Sequence, residues 1–117
     1  MNAKTMLLAT LAAIAVTSCN AVGQYKCRSL QTEAKSTLGA IKAAEVSYFA
    51  EHKTYTASTS ELGVSIAAHH YTIELSITGG GKGYKAIAKG DKPETTGDEW
   101  SVDESGTLQA VTDKCTR

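Results

Sequence analysis

The chain has little of what marks nucleic-acid-binding and membrane-spanning proteins. Its 117 residues include one proline, 6% aromatic residues, and 12 Lys+Arg against 12 Asp+Glu. Balanced charge leaves no surplus to hold a phosphate backbone, and few rings are available for base stacking, so no nucleic-acid partner is expected. No apolar run reaches the roughly 18 residues typical of a transmembrane helix. With 42% apolar residues, the sequence still predicts one small folded domain.

The first residues have the layout of an export signal. Lys4 precedes an apolar stretch over residues 6–16, and the stretch ends in the sequence VTSC, residues 16–19. A branched apolar residue, two small residues and a cysteine resemble a bacterial lipobox, in which cleavage occurs before the cysteine. We therefore expect a signal peptide over 1–18 and lipid attachment at Cys19, which gives stable membrane anchoring. The alternative is ordinary cleavage after Ala21, which leaves a free periplasmic protein.

The cysteine count fits the same export prediction. If Cys19 carries lipid, Cys27 and Cys115 remain as one pair, and an oxidising compartment permits a disulfide between them. In the chain-entropy model, so long a closed loop contributes about 4–5 kcal/mol to stability. The alternative is two free thiols, since sequence alone does not establish the geometry of a disulfide.

The segment after the signal predicts a tether followed by one long helix. Residues 20–24 are small and polar, and we expect a tether over 19–26. Apolar residues then recur at three- and four-residue steps, which predicts an amphipathic helix over about 27–52. Gly39 lies inside this helix, where glycine costs up to about 1 kcal/mol and can mark close packing.

The rest of the chain changes to a period of two, which indicates strands. Apolar residues alternate with polar ones in four runs, and loops bearing glycine or polar residues separate them: 71–77, 84–89, 99–103 and 107–111. Trp100, Val102 and Leu108 are expected on the inner face of the sheet. The predicted fold class for residues 27–117 is α+β, a long N-terminal helix packed on a roughly four-stranded antiparallel sheet.

Two stretches of the sequence resemble bacterial type IV pilin-like proteins. The first is EAKSTLGAIKAAEVSYFAEHKTY (33–55) followed by SELG (60–63). The second is YKAIA (84–88), then DEWSVDESGTL (98–108) and the near-terminal Cys115. The resemblance implies a long helix packed on an antiparallel sheet, and non-enzymatic roles in pili, secretion pseudopili or adhesion.

The chain departs from that family at its front end. Prepilins carry a Gly before the cleavage point, a Phe-like first residue, a Glu at the fifth position and a contiguous apolar helix. Here residues 20–29 are polar and a lipobox-like sequence precedes them. We expect a pilin-like headgroup on a lipid anchor, exported and held by the membrane, that acts as an interaction or accessory module with a protein partner in the envelope or pilus. Asn20, in place of the Asp that retains some lipoproteins at the inner membrane, favours the outer membrane.

Two alternative functions stay open at this point. One is a subunit of a type IV pilus or secretion pseudopilus, located in a filament, and the other is a periplasmic carrier of a small ligand. If the chain is instead the lipid-anchored interaction module, its sheet and the loops 54–70 and 90–98 are expected to present a surface to the partner. A carrier would need a concave pocket with convergent polar groups.

No combination of residues predicts an enzyme, a metal site or a cofactor. His69 and His70 are neighbours, so on a strand they point to opposite faces. The glycine-rich run 79–83 lacks the spacing of a phosphate-binding loop. The acidic residues of 91–103 lack the alternating oxygen ligands of a calcium loop. We expect solvated histidines, a hairpin turn and a solvated acidic edge.

Overall fold

One long helix lies across a four-stranded antiparallel sheet. The computed structural model describes the backbone of residues 3–66 and 68–115, and the side chains of 25–66 and 68–115. The elements, in chain order, are α1 (Ala3–His52), α2 (Thr59–Leu62), β1 (Tyr71–Thr78), β2 (Gly83–Gly90), β3 (Glu99–Asp103) and β4 (Gln109–Thr112). The sheet order is β1-β2-β3-β4, with every neighbouring pair antiparallel. The α+β class and the number of strands predicted from the sequence are confirmed.

α1 begins earlier than its apolar stripe predicts. No proline interrupts the segment from Ala3 to His52, and the helix runs through residues 19–26, for which the sequence predicts a tether. The division into signal peptide 1–18, tether 19–26 and domain 27–117 stays a prediction, and residues 1 and 2 and the side chain of Cys19 lie outside the described residues. Within the described part of the chain, no helix combines the length and the hydrophobicity needed to cross a bilayer.

α1 ends in a left-handed residue that is not a glycine. Lys53 has φ 61°, and its backbone N–H donates to Phe49 O at 2.8 Å, which closes the last turn. A side chain in this conformation crowds the backbone, so glycine or asparagine is the usual choice at such a position. The stretch SELG (60–63) forms most of the short helix α2 and its cap, with Ser58 Oγ accepting from Glu61 N and Gly63 at φ 70°.

The core lies between one face of α1 and the two central strands. Ala34, Leu38 and Ile41 are fully buried on the helix and pack with buried side chains of β1, β2 and β3, namely Tyr71, Tyr84, Ala86, Ala88, Trp100 and Val102. Complete burial of a side chain such as Leu38 or Ile41 contributes about 1.5–3 kcal/mol. The stripe at three- and four-residue steps therefore identified the buried face of the helix.

β4 contributes less to this core than the sequence predicts. The strand begins at Gln109 rather than near residue 107, and all four of its residues are exposed. Leu108 precedes the strand and is 38% exposed, so its predicted place on the inner face is wrong. The pairing of β3 with β4 is also irregular next to Trp100, because the register shifts between Glu99 and Trp100. β4 is thus an exposed edge strand.

Candidate functional site

A disulfide closes the domain between its helix and its last residues. Cys27 on α1 and Cys115, three residues beyond β4, are bonded, with their Cα atoms 5.7 Å apart and 88 positions apart in sequence. The structure thus contains the disulfide between Cys27 and Cys115 that the sequence analysis predicted. Because the bond spans nearly the whole described domain, it limits the freedom of the unfolded chain strongly.

A buried aspartate holds the same end of the domain together. Asp98 is 3% exposed and accepts four hydrogen bonds, from Gln31 Nε2 at 2.9 Å, Tyr71 OH at 2.5 Å, Trp100 Nε1 at 2.9 Å and the backbone N–H of Lys114 at 2.9 Å. Burial, and then the hydrogen bond to Asp98, raise the pKa of Tyr71, so the phenol remains a donor. The prediction that Asp98 belongs to a solvated acidic edge is wrong, because the side chain is buried and its oxygens accept hydrogen bonds from four donors within the chain.

These contacts and the disulfide form one unit, which we call the C-terminal clasp: Gln31, Asp98, Asp113 and the bonded pair Cys27–Cys115. Gln31 Nε2 also donates to Asp113 Oδ1 at 2.7 Å, and Asp113 Oδ1 accepts from Cys115 N at 3.0 Å. The segment after β4 is therefore fixed to α1 both covalently and by hydrogen bonds. Its polar atoms serve the fold, because they are used in contacts within the chain.

A carboxyl–imidazole contact joins α1 to the residue just before β1. Glu33 Oε1 accepts from His70 N at 2.5 Å, and Glu33 Oε2 lies 3.0 Å from His70 Nδ1. Burial alone would raise the pKa of Glu33, but the hydrogen bonds from the backbone and ring of His70 outweigh it and lower that pKa. The prediction that all histidines are solvated is therefore wrong for His70. It holds for His52 and His69, which are exposed.

The chain between α1 and α2 is tied to the hairpin at the other end of the sheet. Tyr55 N donates to Gly81 O at 2.9 Å, and Thr54 Oγ1 donates to the same oxygen at 3.2 Å. The ring of Tyr55 packs against Phe49, with centroids 4.6 Å apart, and against Tyr84 at 4.9 Å in an edge-to-face arrangement. The predicted loop 54–70 is therefore anchored to the core at its beginning.

Glu45 is the most unusual polar residue of the core. It lies on the buried stripe of α1, is 0% exposed, and accepts from Thr56 N through Oε1 at 3.0 Å. Among the buried side-chain atoms that the structure describes, its Oε2 is the one without a hydrogen-bond partner. Burial raises the pKa of Glu45, and the hydrogen bond from Thr56 offsets part of that rise. Burial, followed by the charge of Glu45, raises the pKa of nearby Tyr84 to about 12.

The loop 90–98 is packed rather than freely presented. Thr95 is buried, and its hydroxyl donates to His70 O at 2.7 Å. Gly90 N donates to Asp98 O at 2.9 Å, and a Cβ on Gly90 would collide with the backbone of Thr95. Residues 91–94 and 96–97 are exposed, and they are the part of this predicted partner-facing loop that remains accessible.

A shallow groove between α1 and α2 collects several polar side chains. Its volume is about 270 Å³, and it is lined by Ala44, Ser47, Tyr48, Glu51, His52, Glu61 and Leu62. Tyr48 stacks on His52 with centroids 4.1 Å apart and donates to Glu61 Oε2 at 3.3 Å. No serine or cysteine is hydrogen-bonded to a histidine among the described side chains. The same part of the chain contains no group of three or more His, Cys, Asp or Glu side chains that could hold a metal. That the chain is not an enzyme stays a prediction.

α1 leaves one long face free of the sheet, which we call the outer face of α1. With about 100° of rotation per residue, one strip of the helix collects nine residues that are all exposed, mostly small and all uncharged: Ser29, Thr32, Ser36, Gly39, Ala40, Ala43, Val46, Ser47 and Ala50. Val46 is 59% exposed. A Cβ on Gly39 would contact nothing within 4 Å. Close packing at Gly39 therefore does not occur within the described chain, and the outer face of α1 is exposed.

The fold of this chain is similar to that of a protein of known structure. No protein-family model matches the chain, and no curated protein matches it. A solved structure of a type IV pilin from Shewanella oneidensis matches with a TM-score of 0.54 at 20% sequence identity, over 72% of this chain and 90% of that one. At 20% identity, the match shows a similar fold and nothing more. The long helix on a four-stranded antiparallel sheet is therefore a type IV pilin-like fold, as the resemblance in the sequence predicted.

Proposed function

We propose that this chain is a non-enzymatic, pilin-like protein of the cell envelope that acts by binding another protein. The observation that carries the proposal is the pilin-like fold, in which the sheet covers one face of α1 and leaves the outer face uncovered. The clasp and the Glu33–His70 pair use their polar groups within the chain. Contact with a partner therefore falls to the outer face of α1 and to the exposed loop tips.

The finer form of the proposal is a lipoprotein that begins at Cys19 and carries lipid there. Its support is the lipobox-like sequence directly after an apolar stretch. Eight positions separate Cys19 from Cys27 of the clasp. They span about 12 Å as helix and at most about 29 Å when extended. The headgroup would thus be held close to the membrane surface, and Asn20 favours the outer membrane.

A second candidate function is a subunit of a pilus or pseudopilus. It is favoured by the continuity of α1, which runs from Ala3 into the headgroup without a break. In this case the apolar stretch 6–16 is retained, and the helix itself carries the contacts between subunits. The two candidates differ in one covalent fact, namely whether residues before Cys19 are present in the mature protein.

The intact mass of the native protein, together with detergent-phase partitioning, separates the candidates. A lipoprotein is expected to lack residues 1–18, to carry the added mass of acyl chains and to enter the detergent phase. Cys19→Ala is expected to abolish the acyl mass, with Cys27 and Cys115 left unchanged. A native protein that retains the apolar stretch, carries no lipid and co-purifies with sheared filaments would refute the lipoprotein and support the filament subunit.

A photo-crosslinking residue tests the proposed docking surface. Placed at Ala43, in the middle of the outer face of α1, it is expected to capture a partner in intact cells. A matched probe at Ser76, exposed on β1, is expected to capture less, because that position lies on the sheet away from α1. Equal capture at both positions, or capture at Ser76 alone, would contradict docking through the outer face of α1.

A further inference from the structure

A carboxyl group in the core connects α1 to the segment that follows it. Glu45 projects from the buried face of α1, and its Oε1 accepts the backbone N–H of Thr56. Thr56 in turn donates through Oγ1 to Glu61 Oε1 at 2.9 Å and accepts from Ser58 N at 3.1 Å. Glu45 thus holds the middle of the segment 53–58, which we call the post-helix segment.

The groups around Glu45 offer it no positive charge. Tyr48 lies near it on α1 and Tyr84 on β2. Burial, followed by the charge of Glu45, raises the pKa of Tyr84; burial and Glu61 raise the pKa of Tyr48, with a smaller contribution from Glu45. Glu61 of α2 lies beyond Thr56 and is itself acidic. Among the side chains that the structure describes, no lysine, arginine or histidine forms a salt bridge with Glu45. An ionised Glu45 would therefore be a buried charge with one unpartnered oxygen, which is costly.

The other attachments of the post-helix segment lie toward its two ends. Lys53 N donates to Phe49 O and Lys53 O accepts from Lys82 Nζ at 3.4 Å, while Ser58 caps α2. Tyr55 N and Thr54 Oγ1 both donate to Gly81 O, and the Tyr55 ring packs on the core. Lys53 also has a left-handed backbone, which is unfavourable for a side chain. Thr56 is the buried residue of the segment, so loss of its contact with Glu45 would free the middle of the segment from the core.

We propose that Glu45 is a pH-responsive pin, which holds the post-helix segment against the core while its carboxyl is neutral and loosens it when the carboxyl ionises. Opening exposes Glu45 to water, where the carboxyl returns to its ordinary acidity. The closed form therefore binds the proton more tightly than the open form does. This difference in proton affinity sets the direction in which the stability of the closed form changes with pH. The closed form is most stable below the ordinary pKa of 4.5 and loses stability as the pH rises toward the raised pKa of Glu45.

Hydrogen exchange of the Thr56 amide measures this opening directly, because that N–H donates to Glu45. Exchange followed by NMR from about pH 4 to pH 8, and corrected for intrinsic rates, gives a protection factor at each pH. We expect the factor for Thr56 to fall by up to about tenfold per pH unit while Glu45 titrates, and then to level off. The amides of Ala88 and Trp100, in the central strands, are expected to keep constant protection over the same range.

Two variants on the same helix make the test specific. Glu45→Gln keeps an oxygen that can accept from Thr56 but has no proton to lose, so its Thr56 protection is expected to be independent of pH. Glu51→Gln removes an exposed carboxyl from α1 and is expected to keep the pH dependence of the wild type. A pH-independent Thr56 in the wild type, or the same slope in Glu45→Gln, would overturn the proposal.

A measurement on the unmodified chain keeps the proposal testable if Glu45→Gln fails to fold. Carbon-detected NMR of the glutamate side-chain carboxyls reports the titration midpoint of Glu45 itself. We expect a midpoint above 4.5, together with a change in the Thr56 amide shift at the same pH. A midpoint at or below 4.5, or an amide that does not respond, would refute the pin.

Discussion

Removal of the Cys27–Cys115 bond is expected to remove a large share of the stability of the domain. Replacing both residues by alanine frees a loop closed over 88 positions. In the chain-entropy model the entropy change is 2.1 plus 1.5R ln 88, about 15 cal/mol/K, which is about 4.6 kcal/mol at 25 °C. Domains of this size have a total stability of about 5–15 kcal/mol. The variant is therefore expected to be marginally stable.

Urea denaturation of the two proteins measures this difference. Both should carry Cys19→Ala, so that no third thiol can form a wrong disulfide. The cross-linked form exposes less surface on unfolding, so its m-value is expected to be the smaller one, and the comparison must use free energies extrapolated to water rather than midpoints. The hydrogen bonds of Gln31 and Asp98 in the C-terminal clasp are present in both proteins and do not contribute to the difference. A loss below about 1 kcal/mol would refute the reasoning that the bond acts chiefly on the unfolded chain.

Substitutions at four further positions test separate parts of the structure. Asp98→Ala leaves buried donors without an acceptor and is expected to lower the free energy of unfolding, measured by urea denaturation, by about 3–5 kcal/mol. Asp98→Asn is expected to lower it less, and equal losses in the two variants would contradict the role of the acceptor oxygens. Lys53→Gly removes the side chain from a left-handed backbone position at the end of α1 and is expected to raise the free energy of unfolding by about 1 kcal/mol. A lower free energy of unfolding would show that the lysine side chain itself stabilises the fold. Gly39→Ala fills open space on α1 and is expected to add about 0.5–1 kcal/mol to the free energy of unfolding. If this variant still captures a partner equally well through the photo-crosslinking residue at Ala43, a partner helix does not pack closely at Gly39. Hydrogen bonds from His70 lower the pKa of Glu33, so the ionised carboxylate stabilises the domain above about pH 4.5 and this stabilisation is lost as the pH falls. Glu33→Gln is therefore expected to flatten the acid limb of a thermal-melting series, and an unchanged limb would contradict this.

The sequence identified the helix face and the strands because burial follows the period of each element. Leu38 and Ile41 recur at helical spacing and are fully buried. The alternation over 71–77 likewise matches the burial pattern of β1. These predictions depend on neighbours along the chain, and the pattern is visible there without knowledge of the tertiary structure.

The polar contacts depend on residues that are far apart in sequence, so local patterns do not show them. Glu33 and His70 are 37 positions apart, and Gln31 and Asp98 are 67 apart. Nothing near Asp98 in the sequence distinguishes it from its solvated acidic neighbours. Glu45 differs from these residues, because its unusual environment is visible in the sequence: it occupies an apolar position of the helix stripe, four residues after Ile41. A charged residue on a buried stripe was the visible indication of an unusual environment.

The C-terminal clasp also changes what a protease can do to this protein. Every strand, the loops 53–58 and 63–70, and the exposed residues 91–94 lie between Cys27 and Cys115. One cut at any of these places opens a covalent ring without dividing it, so both pieces stay in a single molecule. Release of a fragment requires two cuts or reduction of the bond. The domain can thus be cut at its surface and still remain one covalently connected molecule.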